Sequence, residues 1–409
     1  MAYALRKQPF RGIYITLRVL LDIALRVPLW CLYYIPKRNR PRPAWSWYHC
    51  IEIDAIREGN DLGPIAERAG PILPSPNHLA IPNDKTLKAV WLEPVPKLVH
   101  GEVRQWAAAA NVQSISIPGY WYDKEGYDTA VGEPPMPGEK VLYYIHGGGF
   151  IAYSAHPCVP VYSYITRRLM TCHSSVRRAL SVEYRLVVNP FGDEVYPFPA
   201  ALLDTLAGYT RLVNAGFRPE DIILAGDSAG ANLALALVRY LIESRRDPVA
   251  DKVVPHPPSA LVLVSPWADL GTSHDGPNSS LRTKLSSDYL RPVDSGLLYY
   301  ARQNYSGPLG FPGGPNDNPY LSPASVHPGM PRVSFEGFPP TIIVMGEAET
   351  FSDQIETLWH KMSTQMGDSQ VALHVAKDAP HAFMILSSWE EQNNLAYDVV
   401  ARWFEKLSQ

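Results

Sequence analysis

The sequence predicts an α/β fold, with a mostly parallel central sheet covered by helices on both faces. Three observations predict it. Short apolar runs alternate with amphipathic stretches of helix length from residue 111 onward. One of those runs, Ile222-Ile223-Leu224-Ala225, leads into Gly226-Asp227-Ser228-Ala229-Gly230 and then into a strong helix former. Another, Val141-Leu142-Tyr143-Tyr144-Ile145, leads into three consecutive glycines. Hydrophobic residues make up 46% and charged residues 19%, which is ample for a large core and excludes a disordered chain.

Residues 1–35 are the first segment to place. Arg6, Lys7 and Arg11 precede an apolar stretch that Arg18, Asp22 and Arg26 interrupt, with Pro28 beyond. Those charges fall on one stripe of a helical wheel, so the segment reads as an amphipathic helix. A spanning segment would want about 20 apolar residues with few or no charges. A signal peptide would need an unbroken apolar run and a small-residue cleavage site. Two arrangements satisfy the helix. It packs its wide apolar face onto the rest of the protein, or it lies in a membrane interface. In the second case Trp30, Tyr33 and Tyr34 sit at headgroup level, with Lys37, Arg38, Arg40 and Arg42 beyond. The expected location is intracellular, either cytoplasmic or held at a membrane of endoplasmic reticulum type through this helix.

Residues 51–110 carry helical pieces at Ile51–Glu58 and Val103–Ala110 between proline-rich loops, including the cluster at 71–76. His49, His78 and His100 show no metal spacing. Strands are then expected at Val112–Ile117 with Tyr120–Tyr122, and at Val141–Ile145, Ala179–Tyr184, Ile222–Ala225, Leu261–Ser265, Thr341–Met345 and Val371–Val375. Helices are expected at Val161–Met170, Ala200–Asn214, Ala229–Ser244, Asp353–Met366 and Trp389–Leu407.

Cys31, Cys50, Cys158 and Cys172 show neither Cys-x-x-Cys spacing nor a zinc-type set, and read as ordinary thiols. The net charge of -3 and the lack of a basic, aromatic-interleaved run argue against nucleic acid.

Strand, Gly-x-Ser-x-Gly and helix together form the layout of a nucleophile elbow, which exposes the hydroxyl of Ser228 on a tight turn. His146-Gly147-Gly148-Gly149-Phe150 follows its strand directly, and glycines there point backbone N–H groups inward. Gly147 and Gly148 are expected to form an oxyanion hole with Ala229, and His146 to position the loop.

These two motifs make the chain resemble the hormone-sensitive-lipase-like family of α/β-hydrolases, whose marks are a His-Gly-Gly-Gly loop and a Gly-Asp-Ser-Ala-Gly elbow. Glu183-Tyr184-Arg185-Leu186, with Pro197-Phe198-Pro199-Ala200-Ala201 and Asp204, is similar to a third family segment, with Glu183 replacing the usual Asp. Ser265-Pro266-Trp267-Ala268-Asp269 is similar to a fourth. The resemblance covers roughly residues 111–409, while residues 1–110 look most like the amino-terminal extensions of fungal members.

It implies the α/β-hydrolase fold, with 111–409 as the catalytic domain and 1–110 as a cap-forming extension. An insertion at about 270–335 would complete the cap. That fold orders its triad serine, acid, histidine. His381, in Asp378-Ala379-Pro380-His381-Ala382-Phe383, is then the base, with His374 the competitor inside the strand and His360 on a helix. Gly346-Glu347-Ala348-Glu349-Thr350-Phe351-Ser352-Asp353 stands where most of the family reads Gly-x-x-Asp-x-x-x-Asp. The resemblance therefore implies Glu349 as the acid, a Glu in place of the usual Asp, with Asp353 the alternative. Tyr289, Leu290, Leu297, Tyr299 and Tyr300 suggest either an apolar substrate pocket or cap core.

The expected activity is hydrolysis of a hydrophobic carboxylic ester of small or medium acyl chain, with neither metal nor cofactor. The same triad could transfer its acyl group elsewhere or deacylate an amide. A non-catalytic ligand-binding relative is the rival from outside enzymes, and the presence of His381 speaks against it.

Overall fold

The computed structural model describes residues 9–66, 79–84, 86–187, 195–291, 296–311 and 313–407. The proline cluster at 71–76 and His78 lie outside them. So do Arg6, Lys7 and the side chains of Arg11 and Leu297.

Among the described residues eight strands form one sheet. They are β1 (Ala89–Leu92), β2 (Ile117–Asp123), β3 (Lys140–Ile145), β4 (Val176–Val182), β5 (Ile222–Asp227), β6 (Ala260–Val264), β7 (Thr341–Gly346) and β8 (Val371–Ala376). The spatial order is β1-β2-β4-β3-β5-β6-β7-β8. β2 pairs antiparallel with both β1 and β4, and the remaining neighbours are parallel. Strands β5, β6 and β7 are buried throughout, as expected of parallel strands covered on both faces.

One strand expectation needs correction, and one strand was not anticipated. Residues 112–116 form no strand although Val112–Ile117 alternates. The Val112 N–H returns to the Ala107 carbonyl, and the Ser114 hydroxyl accepts the Val95 N–H. The alternation serves a packed connector, and pairing begins at Ile117. The short β1 carries too little pattern to read, yet it extends the sheet back across the boundary expected at residue 110.

The connection from β3 to β4 runs one way along the sheet, and that from β4 to β5 runs the other. Right-handed crossovers therefore put helix Pro160–Thr171 on one face and Ala200–Asn214 on the opposite one. Such a reversal leaves a crevice beyond the carboxyl ends of β3 and β5, where ligands of open α/β sheets bind. Ile145 and Gly226 are register partners at that end, so the glycine loop and the serine turn leave adjacent strands at the same level.

The two segments expected to form a cap meet in the structure. Helix Trp47–Ala66 packs against helix Gly296–Ser306. The latter lies over the glycine loop, where a Cβ on Gly149 would sit 3.7 Å from the Ala301 methyl. Tyr305 from the same helix stacks on Phe150 with centroids 3.7 Å apart.

The amino-terminal segment is helical from Phe10 to Tyr33 with a π turn at Asp22–Arg26. Pro28 lacks the N–H that would continue the ladder, and such interruptions are where π turns arise. This helix does not pack its apolar face onto the protein, one of the two arrangements expected. Its charged stripe faces inward, where Arg18 and Arg26 both pair with Glu58, and its leucines face out. Among the described residues no helix is long and apolar enough to cross a membrane.

Candidate active site

Ser228 occupies the turn between β5 and helix Ala229–Glu243 at φ 51°, ψ -117°. A non-glycine residue tolerates that conformation only where its surroundings enforce it. They do so here: the Ser228 N–H is held by the Val264 carbonyl, and the Ser228 carbonyl by the Trp267 N–H. Gly230 follows because a Cβ there would lie 2.1 Å from the Ile145 carbonyl oxygen. Glycine lets the helix start abut β3, which brings the serine beside the glycine loop.

His381 lies in the loop after β8, completely buried, with Nε2 3.0 Å from Ser228 Oγ. Its Nδ1 faces Glu349 Oε1 at 3.6 Å, an ion-pair distance longer than a hydrogen bond. Neither of those two atoms has a hydrogen-bond partner among the described residues, so the carboxylate and the ring nitrogen answer each other. The facing carboxylate favours the tautomer with the proton on Nδ1, which leaves Nε2 to accept from the serine. Burial alone would lower the imidazole pKa. The Glu349 carboxylate and the charges of Asp288 and Asp227 outweigh it, and His381 stands above its ordinary value.

Glu349 is itself held. Its Oε2 accepts the Ser265 hydroxyl at 2.6 Å and the Gly346 N–H at 2.8 Å. Ser265 in turn accepts the Ala382 N–H at 2.9 Å, so one hydroxyl ties the acid loop to the histidine loop. Asp353, the alternative acid, is turned away. Its Oδ2 accepts the Ser280 N–H at 2.8 Å, and its own N–H donates to Ser280 Oγ. The structure thus brings Ser228, His381 and Glu349 together and leaves Asp353 outside.

His374 stays half-buried on β8, with its pKa lowered by burial. His360 packs its ring on Trp359 in helix Ser352–Met366. His146 turns its Nδ1 to the Gly147 carbonyl at 2.8 Å and not to Ser228. Its ring stacks on Tyr184 at 4.3 Å, and the Tyr184 hydroxyl bonds the His146 and Gly147 carbonyls.

The glycine loop requires one correction. The Gly147 N–H donates to Asp227 Oδ1 at 2.9 Å, a contact that Tyr144 shares through its hydroxyl at 2.6 Å. A donor held by a buried carboxylate is not available to an oxyanion. Gly148 and Gly149, at φ 101° and 62°, have N–H groups without an acceptor among the described residues. Ala229 opens its helix, so its N–H has no carbonyl one turn back to bond.

Sequence reading passed over two carboxylates. Asp227 is fully buried, and burial raises its pKa to about 6 against the Tyr144 and Gly147 hydrogen bonds. Asp288, in the cap segment, accepts the His381 and Tyr289 N–H groups on one oxygen and both Thr350 donors on the other. Its own neighbourhood, Ser286-Ser287-Asp288-Tyr289, carries no signal of that place. Of the suggested pocket residues Tyr289 reaches the triad, with its ring 5.8 Å from that of His381, and Leu290 is buried. Tyr299 instead packs on Phe311 at the surface, and Tyr300 is half-buried.

Serine, imidazole and carboxylate in line at the switch point, on this strand order, define the class. A model of the alpha/beta hydrolase fold matches residues 142–385. The chain belongs to that family. An esterase of Acinetobacter venetianus is 26% identical over 276 residues, covering 66% of this chain and 75% of the relative. An acetyl-hydrolase of Streptomyces hygroscopicus is 30% identical over 230 residues, covering 55% and 62%. The crystal structure of an esterase from the bacterial hormone-sensitive lipase family aligns at TM-score 0.56 and 22% identity. That alignment covers 89% of this chain and 99% of that one, and shows the shared fold.

Proposed function

We propose that this protein is a serine carboxylic-ester hydrolase that uses Ser228, His381 and Glu349 on a hydrophobic ester of small or medium acyl chain. The observation that carries the reading is the 3.0 Å contact between His381 Nε2 and a Ser228 Oγ held on a strained turn. Relatives named esterase and acetyl-hydrolase support the reaction class.

Ser228 Oγ attacks the acyl carbonyl as His381 Nε2 takes its proton. The imidazolium so formed faces Glu349, which stabilises it without itself taking the proton. The same proton passes to the leaving alcohol as the tetrahedral intermediate collapses to an acyl-enzyme. A water, deprotonated by His381, then attacks the ester carbonyl, and the imidazolium returns that proton to Ser228 Oγ as the acid leaves.

Charge on the carbonyl oxygen is met by the N–H groups of Gly148, Gly149 and Ala229, while Gly147 serves to fix the loop through Asp227. Apolar cap residues, Tyr289 and Leu290 among them, favour a hydrophobic acyl or alcohol group.

A panel of p-nitrophenyl esters of increasing acyl length tests the substrate class, and Ser228→Ala tests the nucleophile. The variant should lose turnover of the butyrate and fail to label with a fluorophosphonate. Hydrolysis at the wild-type rate by Ser228→Ala would overturn the proposal.

A further inference from the structure

The amino-terminal helix is amphipathic in the reverse sense for a soluble domain. An amphipathic helix of a globular protein turns its apolar stripe to the core and its charges to water. Here Arg18 and Arg26 turn inward onto Glu58 of helix Trp47–Ala66, Asp22 lies between them, and Arg291 reaches Glu58 from the cap at 3.3 Å. Ile13, Leu17, Leu20, Ile23, Leu29 and Leu32 are each more than half exposed. The 24 residues from Phe10 to Tyr33 span about 36 Å, so this exposed apolar face is contiguous along the whole helix, and contiguous patches of that kind mark binding surfaces.

We infer that this face docks on a lipid bilayer, with the helix lying in the membrane interface and the Glu58 clamp fixing it to the cap. Its chemistry favours lipid over a protein partner. Between Ile13 and Leu32 the exposed residues include no charged side chain and a single hydroxyl, that of Thr16. Protein interfaces carry about one hydrogen bond per 100–200 Å², for which this face has almost no donors or acceptors. At its carboxyl end Tyr33, Trp47 and Tyr48 are exposed beside the exposed Lys37 and Arg38. Amphipathic rings suit the headgroup level, and the two cations suit anionic headgroups.

The inward charges make the attachment peripheral. A crossing would drag Arg18, Asp22 and Arg26 through hydrocarbon, whereas a helix lying flat keeps all three against Glu58. The docked helix is also continuous with the site. Arg57, next to Glu58, donates to the carbonyls of Leu285, Ser286 and Asp288, and the Asp288 carboxylate holds the His381 N–H.

Flotation of the full chain with vesicles of phosphatidylcholine, with and without phosphatidylserine, tests the docking. The wild type should float with both and more strongly with the anionic ones. Combined Leu17→Asp, Leu25→Asp and Leu29→Asp, all at exposed positions, should lower vesicle partition at least about tenfold with unchanged circular dichroism and melting. Combined Lys37→Glu and Arg38→Glu should lose about tenfold on anionic vesicles and little on neutral ones. Wild type that stays at the bottom of the gradient, or a triple variant that floats like it, overturns the inference. So does a wild-type dimer that the triple variant splits while neither protein binds vesicles, which would give the face to a second copy.

Discussion

The Asp288 carboxylate accepts the backbone N–H of His381 at 3.3 Å, which joins the segment around residue 288 to the loop that carries the His381 imidazole. Its second oxygen holds the N–H and hydroxyl of Thr350, next to Glu349. One buried carboxylate therefore sets the spacing of the histidine and acid loops from a third side. It also adds negative charge that favours the imidazolium.

Asp288→Asn should move the acidic limb of kcat/KM to lower pH. The free enzyme needs neutral His381, and that limb reports its pKa. Asp288 raises the pKa, so removing its charge lowers it and the base becomes competent in more acidic solution. An asparagine carries only one acceptor oxygen for a site whose two oxygens take four donors, so stability should fall by about 1–3 kcal/mol. A pH–rate profile superimposable on the wild type would mean that Asp288 is only a structural tie.

Glu349→Gln should lower kcat about 10³-fold or more, since the amide cannot stabilise the imidazolium and can favour the wrong tautomer. Asp353→Asn should leave kcat nearly unchanged and cost about 1 kcal/mol, the worth of its bond to the Ser280 N–H. Steady-state kinetics on p-nitrophenyl butyrate beside urea denaturation separates the two. A catalytic loss confined to Asp353→Asn would move the acid.

The glycine loop gives a comparison of two neighbours. A Cβ on Gly148 would lie 2.4 Å from the Ala152 carbonyl oxygen, so Gly148→Ala must displace the loop and its N–H. A loss of about 10²–10³-fold in kcat is expected, the size seen on removing one oxyanion donor. A Cβ on Gly149 meets nothing closer than 3.7 Å, so Gly149→Ala meets backbone strain alone and should lose less. Equal losses from the two would show that the loop tolerates neither for a reason other than donor position.

The serine, the histidine and the parallel strands were legible because each is fixed by local chemistry. A strand ending in a tight turn needs Gly226 and Gly230 around Ser228, and buried parallel strands need continuous apolar runs such as Val141–Ile145. Glu349 was legible only through the resemblance, by register with the family's Gly-x-x-Asp pattern after β7. The Gly147 hydrogen bond was not, because it depends on Asp227 turning back across the β3–β5 pair, a contact between residues far apart in sequence. Asp288 was hidden for the same reason, since nothing in its own neighbourhood reports the loops it joins. The amino-terminal helix shows the limit from another side. Its amphipathicity was plain, but periodicity alone cannot say which face turns inward, and Glu58 decides that.

Asp227 supplies a pH test of stability. Burial lifts its carboxyl from the ordinary 3.8 to about 6. Between those two values the folded protein holds a proton that the unfolded chain has lost, so stability from this group falls as pH rises through the window and is level above it. The whole fall is on the order of 3 kcal/mol, since one pKa step is worth about 1.4. The raised His381 works in a higher window. Its contribution is present below the unfolded value of 6.5 and is lost as pH rises through the folded one. Asp227→Asn removes the first slope and keeps an acceptor for the Tyr144 hydroxyl and the Gly147 N–H. The difference in unfolding free energy between wild type and variant should therefore shift by about 2–3 kcal/mol between pH 4 and pH 6, with the wild type relatively better at the acidic end. Urea denaturation at the two pH values measures it, and a difference independent of pH would show that Asp227 does not titrate there.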